Sequence, residues 1–263
     1  MTKKMQGQVA LVTGASSGIG RAAALELARE GADVALIALA GDDLHEAAAA
    51  CEALGVKALA ISADVSDSAA VLAAFTAADT LGPVTAVFNN AGYARVVPVV
   101  DMTDAQFLHQ LHVNLSGAFY VAREAVRRMI PRKQGAIVFT ASELSLIGES
   151  GYVGYSATKG GILGLSRALA AEVVRDGIRV NVVCPGSTET PLLKREFEYA
   201  ANPAAARAAM QNSIAMGRFA TPEEIAKAVV FLLSQDAAYI TGVALPVDGG
   251  RLNCVVPGSG NAV

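Results

Sequence analysis

The stretch Thr13-Gly14-Ala15-Ser16-Ser17-Gly18-Ile19-Gly20 decides the fold of this chain of 263 residues. The apolar run Val9–Val12 precedes it, and Ile19–Arg29, which has the spacing of an amphipathic helix, follows it. A glycine-rich turn between a strand and a helix lets the backbone approach a phosphate closely, and the helix start offers free N–H groups. The G-x-x-x-G-x-G spacing differs from the G-x-x-x-x-G-K-S/T of a P-loop. The stretch therefore predicts a strand-to-helix turn that binds a pyrophosphate.

The rest of the chain repeats this alternation of short apolar runs and longer helical patterns. The runs are apolar nearly throughout, as expected for parallel strands that are covered on both faces. Further strands are predicted at Val34–Leu39, Ala58–Ile61, Val84–Phe88, Ala136–Thr140, Ile178–Cys184 and Val243–Val247. Further helices are predicted at Asp43–Ala53, Ser68–Asp79, Asp104–Met129 and Tyr155–Arg175, with another beginning after Thr221. The predicted fold class is α/β, a Rossmann-type doubly wound parallel sheet flanked by helices, in one domain over residues 1–263.

One segment, residues 187–219, breaks the alternation. It follows a predicted strand end and combines Pro191, Pro203 and short helical pieces. Ligands of doubly wound folds bind beyond the carboxyl ends of the strands, and long insertions there are commonly functional. We expect this segment to form a lid over a substrate.

Composition excludes several classes of protein. Hydrophobic residues make up 53% of the chain and charged residues 17%, which disfavours disorder, and the net charge of −3 gives no basic footprint for nucleic acid. No apolar run approaches the roughly 20 residues that span a bilayer, and the run after Lys3 and Lys4 is too short for a signal peptide. Three widely spaced cysteines indicate neither a disulfide framework nor a metal site. We predict a cytoplasmic protein without metal, membrane or nucleic-acid partners.

A tyrosine and a lysine are the first candidates for chemistry. Tyr155 and Lys159 are four residues apart at the start of a predicted helix, so they share one face. A tyrosine titrates near ~10, and a nearby ammonium would lower its pKa and make it an acid–base group. Ser142, just beyond the predicted strand Ala136–Thr140, could donate a hydrogen bond to a carbonyl oxygen at the same edge of the sheet. On spacing alone, a solvated helix face is the commoner interpretation of such a pair.

Six motifs that occur in order favour a catalytic role for Tyr155 and Lys159 over a solvated helix face. They are Thr13–Gly20, Asn89-Asn90-Ala91-Gly92, Asn114, Ser142, Tyr155-Ser156-Ala157-Thr158-Lys159 and Pro185-Gly186. In this combination the chain resembles the short-chain dehydrogenase/reductase family, in its branch of about 250 residues with TGxxxGxG and YxxxK motifs. The resemblance covers Gly7 to Gly250.

The resemblance implies an enzyme that interconverts a secondary alcohol and a ketone by hydride transfer with NAD(P). Tyr155 would be the acid–base residue, and Lys159 would lower its pKa and hold the nicotinamide ribose. Ser142 would orient the substrate oxygen, and Asn114 would hold a water in a proton relay. The spacing Y-x-x-x-K favours carbonyl chemistry over reduction of a C=C bond.

The resemblance also implies two sets of binding residues. The cofactor set is Gly14, Ser16, Ser17, Gly18, Ile19, Gly20, Leu39, Asp64, Val65, Asn90, Ala91, Gly92, Tyr155, Lys159, Pro185, Gly186, Thr188 and Thr190. The substrate set is Tyr93, Arg95, Ser142, Glu143, Leu144 and Tyr152. Glu143 with Arg95 indicates a polyol, a sugar or another polar hydroxy compound. The alternatives are a carbonyl reductase like the 3-oxoacyl thioester reductases and a non-catalytic regulator that binds the cofactor on the same fold.

The choice of cofactor is expected at the end of the second strand. Many NAD-using relatives have an aspartate where this chain has Ala38, and many NADP-using relatives have an arginine where it has Leu39. Asp42 and Asp43 would repel a 2′-phosphate, and a buried phosphate without a cation is costly. We therefore predict NAD(H) over NADP(H). The positive charge of Arg21 is the feature that would favour NADP(H) instead.

The assembly is predicted from the resemblance alone. It implies a homotetramer, or a homodimer, in which the alanine-rich helices Asp104–Met129 and Tyr155–Arg175 pair between subunits. Simple packing of these helices on their own sheet is the alternative.

Overall fold

Seven parallel strands form one sheet in the computed structural model, which describes residues 3–198 and 202–254. The strands are β1 Val9–Thr13, β2 Asp33–Ala38, β3 Ala58–Ser62, β4 Val84–Asn89, β5 Gly135–Thr140, β6 Ile178–Pro185 and β7 Ala244–Val247. Their order across the sheet is β3-β2-β1-β4-β5-β6-β7, and every neighbouring pair is parallel. This order reverses direction beside β1, as in a doubly wound sheet, and confirms the predicted fold class.

Helices cover both faces of the sheet. They are α1 Gly18–Arg29, α2 Asp42–Glu52, α3 Ser68–Ala78, α4 Asp104–Gln110, α5 Gly117–Met129, α6 Val153–Val173, α7 Pro191–Glu198, α8 Pro203–Asn212 and α9 Pro222–Leu233. One apolar core lies under α1, α2 and α9, and a second lies under α3, α5 and α6. Along β1, Ala10 and Val12 belong to the first core, whereas Val9 and Leu11 belong to the second. Both faces are buried, which explains why the strands are apolar without alternation.

The predicted helix Asp104–Met129 is confirmed over its full range, with one irregular turn. Residues Leu111–Ser116 form a π-helix between α4 and α5, which the prediction did not include. Such bulges are frequently found at functional sites, and the hydrophobic spacing of a sequence does not reveal one extra residue in a turn. The bulge contains Asn114, which is fully buried.

The segment 187–219 contains α7 and α8, as its short helical patterns indicated. Its two ends are joined, because Ala220 donates a backbone hydrogen bond to Ser187 and accepts one from Glu189. A small apolar cluster of its own, formed by Leu193, Phe197, Ile214 and Phe219, holds it together. Across the whole described chain, no helix has the length and hydropathy needed to cross a membrane.

Candidate active site

A cleft of about 620 Å³ runs along the carboxyl ends of the strands, between the glycine-rich turn and the segment 187–219. It brings together nearly all the predicted site residues. The lining includes Gly14, Ser16, Ser17, Gly18, Ile19, Leu39, Asp64, Val65, Asn90, Ala91, Gly92, Tyr93, Arg95, Ser142, Glu143, Leu144, Tyr152, Tyr155, Lys159, Pro185, Gly186, Thr188 and Thr190. Two predicted site residues, Gly20 and Asn114, lie behind this lining.

The glycine-rich turn needs its glycines for different reasons. Gly14 and Gly18 have φ angles of 65° and 52°, in the left-handed region that side chains disfavour. A Cβ atom on Gly20 would lie 2.1 Å from the backbone oxygen of Gly14. Gly20 therefore allows the first turn of α1 to pack directly against the loop.

Hydrogen bonds tie together the strand ends that form the floor of the cleft. The Thr13 hydroxyl accepts from the backbone N–H groups of Asn90 and Ala91, at 2.9 and 3.0 Å. Asn90 Nδ2 donates to the Thr13 carbonyl, and Thr140 Oγ1 donates to Asn90 Oδ1. The ends of β1, β4 and β5 are thus held in one fixed arrangement.

The end of the cleft beside β2 and β3 carries little positive charge. Leu39, just beyond β2, is 68% exposed, and Asp42 and Asp43 follow it on the surface. The described basic residues that line the cleft are Arg95, Lys159, Arg195 and Arg251. None of them belongs to the loops that follow β1, β2 or β3.

Ser142, Tyr155 and Lys159 meet where β5 ends and α6 begins. Ser142 is buried after β5, and its hydroxyl accepts a hydrogen bond from Leu144 N at 3.1 Å. Tyr155 lies in the first turn of α6, and Lys159 lies one turn later with its ammonium 5.6 Å from the centre of the tyrosine ring. The ammonium donates to the Thr140 carbonyl at 2.7 Å.

Burial dominates the electrostatics of these groups. Burial lowers the pKa of Lys159 to about 8. Burial raises the pKa of Tyr155, and the charges of Glu196 and Glu143 raise it further, while the nearby Ser142 hydroxyl lowers it in part. The sequence predicts that Lys159 lowers the pKa of Tyr155. The net shift in this structure is upward, because burial and the charges of Glu196 and Glu143 outweigh the lowering influence of Ser142. The ammonium of Lys159 is engaged with the Thr140 carbonyl.

The side chain of Asn114 forms hydrogen bonds with other residues of the chain. Its Nδ2 donates to the Tyr93 carbonyl at 2.8 Å and to Thr158 Oγ1 at 3.0 Å. Its Oδ1 accepts from the Tyr93 backbone N–H at 2.7 Å. The π-helical segment therefore fixes the loop after β4 against α6, next to the lysine.

Three charged residues that sequence reasoning missed lie beside the predicted substrate residues. Arg251 donates to Glu143 Oε1 and to Glu149 Oε2, each at 2.6 Å. Glu196, on α7, accepts a hydrogen bond from the Tyr152 hydroxyl at 2.9 Å. The Arg251 contacts join residues more than a hundred positions apart. One signal was available, because Arg251 follows the last strand and the carboxyl ends of parallel strands share one edge.

Glu143 should make the stability of the protein depend on pH. Burial raises the pKa of this carboxyl from 4.5 to about 7, although Arg251 opposes the shift. A carboxyl whose pKa is raised by folding binds more protons when folded, so its effect on the free energy of unfolding becomes unfavourable as pH rises from about 4.5 to 7. We expect Glu143→Gln to gain stability relative to the native chain across this window, measured by urea denaturation at several pH values. A difference between the two proteins that stays constant with pH would contradict the assignment.

Comparisons with known proteins match the chain along most of its length. The family model described as "Enoyl-(Acyl carrier protein) reductase" matches residues 14–251. The 2-(S)-hydroxypropyl-CoM dehydrogenase 3 of Xanthobacter autotrophicus is 38% identical over 95% of this chain and 98% of its own. A 3-oxoacyl-(acyl-carrier-protein) reductase of Pseudomonas aeruginosa is 39% identical over 94% of this chain and 98% of its own. The crystal structure of an NAD+-bound xylitol dehydrogenase superposes with a TM-score of 0.91 at 35% identity, covering 94% of this chain and all of the other.

Proposed function

The chain belongs to the short-chain dehydrogenase/reductase family and is an NAD(P)-dependent oxidoreductase of alcohols and ketones, and from this premise we propose that it acts on a polar hydroxy compound. The observation that carries the proposal is the meeting of Ser142, Tyr155 and Lys159 in the cleft beside the buried carboxylate of Glu143. A polyol, a sugar or a related compound offers hydroxyl donors to that carboxylate. The xylitol dehydrogenase similarity supports this substrate class.

The proposed cofactor site uses the cradle made by the glycine-rich turn. A Cβ atom on Gly14 would lie 3.0 Å from the Cα of Ala91, so only glycine leaves this wall of the cleft open. The backbone of residues 14–18 would hold the pyrophosphate, Asp64 and Val65 would border the adenine, and Thr188 and Thr190 would border the nicotinamide; all these residues except Ala15 line the cleft. When bound, the nicotinamide supplies the group that accepts or donates hydride.

The proposed proton chemistry belongs to Tyr155. During oxidation its phenolate takes the hydroxyl proton of the substrate, and the two electrons and the hydrogen of the C–H bond leave as hydride. Ser142 donates to the substrate oxygen, and Lys159 favours the phenolate when its ammonium approaches the tyrosine hydroxyl. We propose that Asn114 holds a relay water; both of its amide hydrogens are donated to the protein, and its Oδ1 accepts one hydrogen bond and can accept a second.

We propose NAD(H) as the cofactor and expect NADH to bind at least tenfold more tightly than NADPH, a gap of about 1.4 kcal/mol. The reason is that the loops after β1, β2 and β3 bring no cation into the cleft, whereas Asp42 and Asp43 repel a 2′-phosphate. Titration of nicotinamide fluorescence with each dinucleotide measures the ratio.

A variant sharpens this test. Leu39→Arg places a guanidinium on an exposed position at the lip of the cleft and should raise the NADPH affinity by at least about tenfold. Leu39→Met, which adds no charge, should leave the ratio unchanged. Tighter binding of NADPH than of NADH by the unmodified chain would overturn the proposal of NAD(H). Arg21 would then be the first candidate for the cation that binds the 2′-phosphate.

The segment 187–219 is proposed as the lid over the substrate. Its helix α7 contributes Leu193, Arg195 and Glu196 to the cleft, and its joined ends allow it to move as one unit. The cytoplasm is the proposed location. A homotetramer or homodimer is the proposed assembly, supported by the exposed apolar side chains of Leu108 on α4 and Phe119 on α5.

A 3-oxoacyl thioester reductase is the second candidate function, favoured by the similarity to the Pseudomonas aeruginosa reductase. Reduction of an acetoacetyl thioester with NADH or NADPH, compared with reduction of polar ketones, separates the two candidates. The third interpretation, a non-catalytic cofactor-binding protein, leaves the Ser142, Tyr155 and Lys159 arrangement unexplained.

A further inference from the structure

A second cavity, of about 410 Å³, adjoins the catalytic cleft beneath α7 and α8. We call it the side chamber. Its walls are mostly apolar and include Val96, Phe197, Ala206, Ala209 and Met210. The residues that line both the cleft and the side chamber form the passage between them; they are Val96, Glu149, Tyr152, Glu196, Met210 and Arg251. A ligand whose reacting carbon lies at Tyr155 can therefore extend into the side chamber.

The passage has more negative than positive charge. Arg251 is shared between Glu143 and Glu149, so one guanidinium faces two carboxylates. Glu196 has no cation within 4.0 Å in the described part of the chain, and its partner is the neutral hydroxyl of Tyr152. Arg95 and Arg195 line the main cleft but not the side chamber. The formal balance at the passage is therefore two carboxylates, Glu149 and Glu196, against one guanidinium. Glu143, which lines only the main cleft, is a third carboxylate beside it.

A second, independent observation is a buried carboxylate oxygen that lacks a hydrogen-bond donor. Glu143 is 4% exposed, and its Oε2 is buried without a hydrogen-bond partner among the described residues. Glu143 lines the cleft directly beside Ser142. Both oxygens of a buried carboxylate normally accept hydrogen bonds, because the cost of removing an oxygen from water is otherwise not compensated. Burial also raises the pKa of Glu196 to about 7, as expected for a carboxylate that lacks a counter-ion.

We propose that the substrate carries an ammonium group next to its carbinol or carbonyl carbon, with Glu196 as the counter-ion and the side chamber holding the remaining carbon skeleton. This inference rests on the proposed function, because it names the substrate class of the same site. An amino alcohol supplies the cation that the passage lacks and an apolar body that suits the chamber walls. An anionic substrate would meet three carboxylates and is disfavoured.

The test compares three compounds of equal ring size that differ in charge. They are trans-2-aminocyclohexanol, trans-1,2-cyclohexanediol and trans-2-hydroxycyclohexanecarboxylate, assayed with NAD+ at about pH 7, where the aliphatic ammonium is protonated. We expect kcat/KM for the amino alcohol to exceed that for the diol by at least tenfold and the carboxylate to be the poorest substrate. Glu196→Gln keeps an acceptor for Tyr152 and should reduce the amino alcohol-to-diol ratio by about tenfold.

Glu198→Gln is the matched control. Glu198 lies on the same helix, is exposed, and lines neither cavity, so its loss should leave the ratio unchanged. The ratio also cancels any effect of Glu196 on the pKa of Tyr155, because that effect acts on both substrates. A ratio near one for the native chain, or a ratio that Glu196→Gln leaves intact, would overturn the inference.

Binding measurements keep this inference separate from the proposed function. Calorimetric titration of the NAD+-saturated Tyr155→Phe protein with each compound needs no turnover. Tighter binding of the amine, reduced by adding Glu196→Gln, supports the inference even if none of the compounds is oxidised. Equal binding of amine and diol refutes it even if both are oxidised, and turnover of the diol alone leaves the proposed function standing.

Discussion

Replacing Tyr155 by phenylalanine lowers kcat/KM for alcohol oxidation and ketone reduction by about a thousandfold, within the ~10²–10⁴ range of general acid–base catalysis. In the proposed mechanism the phenol is the proton donor and acceptor, at the point where Ser142 and Lys159 line the same cleft, and phenylalanine keeps the ring but removes that proton. Steady-state rates in both directions, followed by nicotinamide absorbance, measure the loss. The native oxidation rate should increase with pH, because burial and neighbouring carboxylates raise the pKa of Tyr155 and only the phenolate accepts a proton.

A neighbouring tyrosine supplies the control. Tyr152 lines the same cleft, and its ring lies 6.3 Å from that of Tyr155, but its hydroxyl donates to Glu196. Tyr152→Phe should therefore cost far less in kcat than Tyr155→Phe. NADH affinity should survive in both variants. Equal losses in the two variants, or an active Tyr155→Phe protein, would remove Tyr155 from its proposed role.

Replacing Gly20 by alanine should abolish NADH binding and lower the free energy of unfolding by about 3 kcal/mol, the upper part of the range for overpacking. The added Cβ would lie 2.1 Å from the Gly14 oxygen and 2.7 Å from the Gly14 carbonyl carbon, and backbone atoms cannot rotate away as a side chain can. Relief requires α1 to separate from the phosphate loop. For a chain of this size the expected fall in Tm is about 6–12 °C.

Gly164→Ala is the matched control for Gly20→Ala. Gly164 lies within α6, and a Cβ atom there would meet nothing within 4 Å. Alanine is the better helix former by about 1 kcal/mol, so this variant should be neutral or slightly stabilised. If Gly20→Ala retains native Tm and native NADH affinity, α1 does not pack on the loop as the structure describes.

The fold could be predicted from the sequence because each strand is a short apolar run, and the five central strands are buried on both faces. β1, β4 and β5 agree with their predicted ranges to within about one residue at either end. The π-helix at Leu111–Ser116 could not be predicted from the sequence, because one extra residue in a turn leaves the hydrophobic spacing almost unchanged.

The residues of the candidate site also fall into a group that the sequence predicts and a group that it does not. Ser142, Tyr155 and Lys159 were predictable because they lie within motifs at short spacing, on one strand end and one helix face. Glu149, Glu196 and Arg251 come from three distant segments, and their meeting depends on how loops pack over the sheet. The net rise in the pKa of Tyr155 could not be predicted for a related reason, since burial is a tertiary property that spacing does not reveal.

Deuterium transfer tests the central claim most directly. The protein would be incubated with 4-deuterated NADH, each C4 epimer separately, and with 2-aminocyclohexanone, 2-hydroxycyclohexanone or an acetoacetyl thioester. Mass spectrometry of the alcohol product then locates the label. We predict a single deuterium on the carbinol carbon, from one epimer only, and a rate of transfer about a thousandfold lower with Tyr155→Phe. A protein that binds NADH in titration but transfers no deuterium to any of these ketones would contradict the account and favour a non-catalytic cofactor-binding role.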